Sequence, residues 1–198
     1  MSTEERPGRR TRADVQRNRA ALLEAAQRQF LKFGVGTSLE AVAKEAGVGP
    51  GTLYRHFPNR EALLAAVLQT RSAELEAQRA EIAQLDDAFE RLRRWLRAME
   101  EYFSAFSGLP EPLMAAARAL EPDNPLTVPC EQIIATTDEY VRAAQLSGQV
   151  RGAVTGRDLF FLAVSVAWTV GAAAADEESV GRLRALMENG YREQNPRE

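Results

Sequence analysis

The chain has 198 residues, with 25 Lys/Arg against 28 Asp/Glu, one His and one Cys. That length is ample for a buried core, while a lone Cys130 excludes an intrachain disulfide and a lone His56 excludes His-rich metal sites and the Glu-x-x-His di-iron arrangement. Charge is divided unevenly: residues 1–60 hold 11 Lys/Arg and 6 Asp/Glu, residues 61–198 hold 14 and 22. A basic N-terminal third on an acidic body suits a head that approaches a polyanion. There is no apolar h-region at the N-terminus, so no signal peptide is read, and one cysteine suits a reducing cytoplasm. With no G-x-S-x-G and no phosphate loop, neither an enzyme nor a cofactor is expected.

Helix formers dominate and no segment sustains two-residue alternation, so an all-α protein of about nine helices is expected. Residues 1–13 carry Arg6, Arg9, Arg10 and Arg12 without an apolar pattern and read as a disordered basic arm. The first helix is predicted from about Arg12 to Phe33, with Leu22, Leu23, Ala26, Phe30 and Phe33 as its core face and Gly34 as its stop. Ser38 caps a short second helix whose apolar stripe is Leu39, Val42, Ala43 and Ala46. Gly47 ends it in the left-handed conformation, Val48 plugs the turn, and Gly49-Pro50 restarts the chain, Pro50 suiting a first helical position. A third helix spans Gly51 to Phe57. Asn59 caps a fourth from Arg60 toward residue 80, with Leu63, Leu64, Val67, Leu68 and Leu75 on its apolar side.

Further along, Phe89, Leu92, Leu96, Met99, Phe103 and Phe106 form one stripe flanked by Trp95 and Tyr102, and Gly108-Leu109-Pro110 breaks that helix. A short helix from about Glu111 to Leu120 follows. Pro129 starts the next, which carries Ile133, Ile134, Thr137, Tyr140, Val141 and Ala144. Ser147 to Gly156 reads as a connection. The uncharged run between Asp158 and Asp176 is seventeen residues, short of the ~20 a membrane span needs, and reads as a helix buried in protein. Val180, Leu183, Leu186, Met187 and Tyr191 mark the last helix.

The second and third helices, joined by a tight glycine turn, have the layout of a helix-turn-helix, a unit that seats its second helix in a major groove. The run Ala46-Gly47-Val48-Gly49-Pro50-Gly51-Thr52-Leu53-Tyr54-Arg55-His56-Phe57, followed by Asn59-Arg60-Glu61-Ala62-Leu63, closely resembles the DNA-binding domain of the TetR family of bacterial transcriptional regulators. The likeness runs from about Asp14 to Leu68.

That resemblance implies a helix-turn-helix DNA-binding domain over 14–60, a connecting helix over 61–84 and a helical ligand-binding and dimerisation domain over 85–198. It implies a homodimeric, cytoplasmic repressor, nucleoid-associated when bound to DNA. Such a protein holds an inverted-repeat operator in double-stranded DNA until a small, largely apolar effector releases it. No membrane partner is implied. Thr52, Tyr54 and His56 fall where family members contact phosphates and neighbouring bases, and Arg60 where a basic residue grips the backbone. Hydroxyl, phenol and imidazole groups are suitable donors to phosphate oxygen, as are Thr37 and Ser38 at a helix start and the helix N-terminus at Asn59. Arg9, Arg10 and Arg12 suit a flanking minor groove or a nonspecific tail. Gly49-Pro50-Gly51 departs from the common pattern, which has polar side chains there. Direct readout of bases then passes to Thr52 and Arg55.

In the body, Trp95, Met99, Phe103, Phe106, Met114, Ile133, Thr137 and Trp168 are the residues expected around an effector, though such a stripe is also what a plain core looks like. Glu100, Glu101, Asp138 and Glu139 are expected to be solvated, and Cys130 to be a buried, inert thiol. Ala163, Ala167 and Gly171, with Leu183, Leu186 and Met187, are expected at a two-fold interface. The competing expectations are a nonspecific or architectural DNA-binding protein, and a regulator, activator or repressor, with no small-molecule effector.

Overall fold

A computed structural model describes residues 12–193. Nine α-helices and no named strand occur among them: α1 Arg12–Phe33, α2 Leu39–Glu45, α3 Pro50–His56, α4 Arg60–Ile82, α5 Ala88–Phe103, α6 Pro110–Ala119, α7 Thr127–Leu146, α8 Gly156–Gly171 and α9 Glu177–Tyr191. The disordered arm expected over residues 1–13 lies, up to Thr11, outside the described residues. No described helix is long and apolar enough to cross a membrane.

Helix limits follow from local chemistry. Asn59 Oδ1 accepts from Ala62 N–H at 2.8 Å, Asp87 Oδ1 from Glu90 N–H at 2.6 Å and Asp176 Oδ1 from Ser179 N–H at 2.8 Å, satisfying donors that a helix start leaves unpaired. α8 begins two residues before its expected start at Asp158. Thr155 and Asp158 form a reciprocal capping box there, which draws Gly156 and Arg157 into the helix. Gly34 and Gly47 adopt φ of +78° and +70° and end α1 and α2 as read from sequence.

α1, α2, α3 and the first turns of α4 enclose Leu22, Phe30, Val42, Leu53, Leu63, Leu64 and Val67. Phe33 departs from expectation. It is 58% exposed at the end of α1, with Lys32 Nζ 5.0 Å from the ring centroid. In the body, α8 packs against α5, α6, α7 and α9. Its Leu159, Phe160, Ala163, Val164, Val166 and Ala167 are buried, as an apolar helix requires.

The loop after α5 helps join head to body. α5 ends at Phe103, so Phe106 is carried by the following loop instead of continuing the helical stripe; it is nonetheless buried, edge-on to Phe30 with centroids 5.8 Å apart. The Arg71 guanidinium lies 5.6 Å from the same ring. Beside it, Val35 N–H donates to Ser107 O at 2.9 Å, and a Cβ on Gly34 would come within 2.7 Å of that oxygen.

Gly156 marks the tightest approach inside the body. A Cβ there would meet Asp138 N at 2.5 Å and Ile134 O at 2.8 Å, both on the α7 backbone. Gly156→Ala is therefore expected to cost about 2–4 kcal/mol through overpacking. Gly51→Ala, whose added Cβ meets nothing within 4 Å, should be neutral or stabilising by up to about 1 kcal/mol. Urea denaturation followed by far-UV circular dichroism compares the two.

Candidate nucleic-acid interface

The outer face of α2 and α3 gathers most of the expected contacts. Ser38 is the N-cap of α2, its Oγ accepting from Ala41 N–H at 3.3 Å, and it is exposed. Tyr54 is 43% exposed, and its hydroxyl donates to Glu40 Oε1 at 3.4 Å across the gap between the helices. Arg55 is exposed and folds back on its own helix, with Nε donating to Gly51 O at 2.9 Å. His56 is half-buried, its ring 6.3 Å from that of Phe57. Gly49, Pro50 and Gly51 are exposed, and a Cβ on either glycine would meet nothing within 4 Å, so bare backbone leads α3. Asn59 is exposed while capping α4, and Arg12 is exposed at the start of α1; Arg9 and Arg10 lie outside the described residues.

Two expected contacts take other places. Thr52 is only 6% exposed, turned inward beside Leu53 on the short α3, so it cannot lead the reading of base edges. Arg60 is turned into the protein: Nη1 donates to Thr37 O at 2.7 Å and also to Val35 O. Half-buried, it straps through Nη1 the loop that delivers α2. Thr37 is half-buried in that loop, its Oγ1 donating to Gln29 Oε1 at 3.1 Å. Sequence could not reveal the strap, because it pairs a charged side chain with carbonyls 23 and 25 residues away.

The residues expected around an effector are not brought together. Met99, Phe103, Phe106 and Thr137 are sealed in the core, where Thr137 Oγ1 accepts from Trp95 Nε1–H at 2.9 Å. Trp168 is 44% exposed, its Nε1–H donating to Glu111 Oε1 at 3.2 Å, and Met114 is half-buried on α6. Trp95 and Ile133 alone of the eight reach an open cleft of about 890 Å³ between α4, α5 and α7. Its other wall was missed: Ala65, Gln69, Ser72, Glu76 and Arg79 lie along α4 at alternating four- and three-residue steps, a stripe of small and polar residues rather than an aromatic one. Charge in the cleft is largely paired, Arg79 lying 3.3 Å from Glu139 and 3.6 Å from Glu76.

Three further groups differ in their surroundings. Glu100, expected in solvent, is buried with Arg184 of α9 at 2.6 Å, and burial holds its carboxyl above the usual range against the pull of that guanidinium. Asp138 is half-buried, accepting from Gly156 N–H at 2.6 Å. Cys130 is buried, and desolvation pushes its thiol up to about 12. No cluster of metal-ligating side chains occurs among the described residues.

A helix-turn-helix head with an outward polar face, on an all-helical body with a cleft, defines a DNA-binding regulator. Residues 22–67 match the family model for bacterial regulatory proteins of the tetR family, and residues 87–193 match that for the transcriptional regulator SbtR-like C-terminal domain. The second match spans more than half of the chain, and the chain belongs to the TetR family of transcriptional regulators. It is similar to the TetR regulator SCO0520 of Streptomyces coelicolor, 32% identical with a TM-score of 0.52, covering 89% of this chain and 99% of that one. A TetR-family regulator of Rhodococcus sp. shares the fold, with a TM-score of 0.60 at 24% identity over 87% and 97% of the two chains. The regulator TtgR of Pseudomonas putida is 44% identical over 63 residues, which is 31% of this chain and 30% of TtgR.

Arg60 has a role that stability measurements can isolate. Arg60→Ala should cost about 1–3 kcal/mol, the usual loss when charge-assisted bonds to backbone carbonyls are removed. Arg60→Lys should recover part of the loss, because both bonds leave the single nitrogen Nη1 and an ammonium can also donate to two carbonyls, though from a shorter and more strongly hydrated side chain. Denaturant unfolding gives the energies, and faster amide exchange at Thr37 and Ser38 would place the loss in the strapped loop.

Proposed function

We propose that the chain acts as a homodimeric repressor that holds an inverted-repeat operator and is released from it by a small, largely apolar effector. One observation carries this reading. α4 runs from Asn59, at the edge of the DNA face, through the core of the head, and becomes one wall of the cleft. Its 23 residues span about 34 Å as one rigid element. An effector entering beside Ala65, Gln69 and Ser72 therefore acts on the helix that carries the head, and its preference for one placement of α4 is felt as altered DNA affinity.

On this reading Ser38, Tyr54, Arg55, His56 and the backbone at Gly49-Pro50-Gly51 contact DNA, with Thr37 and Asn59 at the margin. Arg9 and Arg10, together with Arg12 at the start of α1, add attraction to the flanking duplex. The effector lies in the α4–α5–α7 cleft. With one arginine shared between two carboxylates, Glu76 and Glu139, that cleft disfavours an anion, and its small apolar walls suit a largely apolar, uncharged molecule. The two-fold contact is proposed for α8 and α9. Leu186 is 70% exposed, Leu183 and Met187 are half-buried, and Gly171, Trp168 and Val170 are exposed. Ala163 and Ala167 are buried within the protomer, so they let α8 pack with its own neighbours and are not part of that contact.

Selection of duplexes from a random pool at near-physiological salt tests the operator. Enrichment of an inverted repeat is expected, with Tyr54→Ala and Arg55→Ala each weakening it about 5- to 100-fold, the range for loss of one good contact. Equal affinity for selected and scrambled duplexes would instead mark a nonspecific binder. Leu186→Glu should convert the dimer to monomer in sedimentation velocity, since one buried charge per subunit at a two-fold contact lacks a partner. Ala66→Trp, which fills the cleft from α4, should abolish binding of a neutral apolar dye such as Nile red, read by its fluorescence.

A further inference from the structure

The DNA face holds one feature that the reading above does not use: a carboxylate in the middle of it. Glu40 is fully exposed on the first turn of α2. Its Oε2 accepts from Ser38 Oγ–H at 2.6 Å and its Oε1 from the Tyr54 hydroxyl at 3.4 Å. A hydroxyl has a single proton to give. Ser38 Oγ accepts from Ala41 N–H at 3.3 Å with one of its two lone pairs and gives its single proton to Glu40. Tyr54 donates its only proton to the same carboxylate. The two hydroxyls assigned to phosphate thus both face, in the free protein, an anion supplied by the chain itself, closely for Ser38 and at longer range for Tyr54. Arg60, the neighbouring cation, gives donors to Val35 O and Thr37 O.

We propose that Glu40 is an intramolecular stand-in for a DNA phosphate, organising Ser38 and Tyr54 in the free protein and setting an upper limit on affinity by competing with phosphate for their protons. This rests on the assignment of the α2–α3 face to DNA. The carboxylate matches what it replaces: an exposed anion offering two acceptor oxygens to two donors on different helices. When duplex approaches, a phosphate oxygen must accept the hydrogen bonds of both hydroxyls, and the carboxylate must swing toward solvent. Repulsion between the two anions raises the energy of any arrangement that keeps Glu40 in place. The hydrogen bond from Ser38 foremost holds the Glu40 carboxyl below its ordinary range, so the acid stays ionised at neutral pH and the competition persists there. The device trades tightness for a free state in which the two contact groups already face the same point. An acid on the first turn of a helix also favours the helix dipole, and on that basis alone its removal would slightly weaken α2 and with it DNA binding. The two roles predict opposite signs.

The test uses fluorescence anisotropy of a labelled duplex, selected from a random pool, with the full-length protein at one near-physiological salt. Wild type, Glu40→Gln, Tyr54→Phe and the double variant are compared, Gln keeping an acceptor oxygen without the charge. Glu40→Gln is expected to bind about five- to tenfold tighter than wild type, the worth of one charge-assisted contact released for DNA. In the Tyr54→Phe background the same change should gain less, about two- to threefold, because one of the two protons it frees is missing while that of Ser38 remains. No gain, or a loss, from Glu40→Gln would overturn the proposal and leave Glu40 as a helix-start acid. A full gain in both backgrounds would overturn it as well, leaving only general repulsion of the duplex. If wild type and every variant failed to bind any duplex, the assignment of the face would fall first, and the proposal with it.

Discussion

Phe106 is the contact on which the relation of the two halves depends. It sits on a loop, yet it is as buried as any core residue, wedged edge-on against Phe30 of the head and under the guanidinium of Arg71 on α4. An aromatic ring in that position contributes both area and the favourable edge-to-face geometry. The backbone beside it is held just as closely, by the bond from Val35 N–H to Ser107 O and by the absence of a side chain on Gly34. The consequence is geometric. The α5–α6 loop touches the end of α1, the start of the α1–α2 loop and the middle of α4, so the head cannot rotate about α4 without unseating a ring from the core.

From that clasp the rest of the head follows. The loop leaving Val35 is held on its other side by Arg60, whose guanidinium joins Val35 O and Thr37 O to the first turn of α4. Ser38, the next residue, caps α2, and α2 positions Glu40 opposite Tyr54 on α3. A chain of short, specific contacts therefore leads from the body to the side chains on the DNA face. Each link is a hydrogen bond or a packed ring, and each is between groups of defined geometry. A head built this way is carried as a unit, which is what a reader of groove spacing needs.

Much of this was legible in the residues and some of it was not, for physical reasons. Caps and breaks are local: Ser38, Gly47, Pro50 and Asn59 each act on the backbone within three residues, and each stands where its chemistry implied. The capping box at Thr155 and Asp158 is equally local but was hidden in a run read as a connection. What periodicity cannot supply is the identity of the neighbour. Phe106 continues the spacing of the α5 stripe, yet Ser104 ends the helix and the ring reaches a different partner. Phe33 fits the apolar face of α1 by number but lies past the point where α1 is covered. Glu100 looks like a solvated acid until Arg184, 84 residues on, is folded against it. Arg60 resembles a backbone grip until the carbonyls of the preceding loop come within reach.

The body shows the same limit in a form that bears on recognition. Large aromatic and sulfur side chains were the natural candidates to line a pocket, because they supply contact area. They are instead consumed in filling the core: Trp95 bonds Thr137, and Phe103 stacks edge-on with Phe160 at 5.3 Å. Space is left where side chains are small, so the cleft opens along Ala62, Ala65 and Ala66. The DNA face follows the identical logic. Gly49 and Gly51 leave backbone where family relatives are expected to carry side chains, and Thr52 is turned inward. On the proposed assignment of this face, the side chains that α3 offers to DNA are Tyr54, Arg55 and His56. A face with so few reading groups depends on each more heavily and on the shape of the groove, since close backbone approach is itself sensitive to groove width. In both places a small residue creates the opening, and the larger neighbour at its edge decides what can enter.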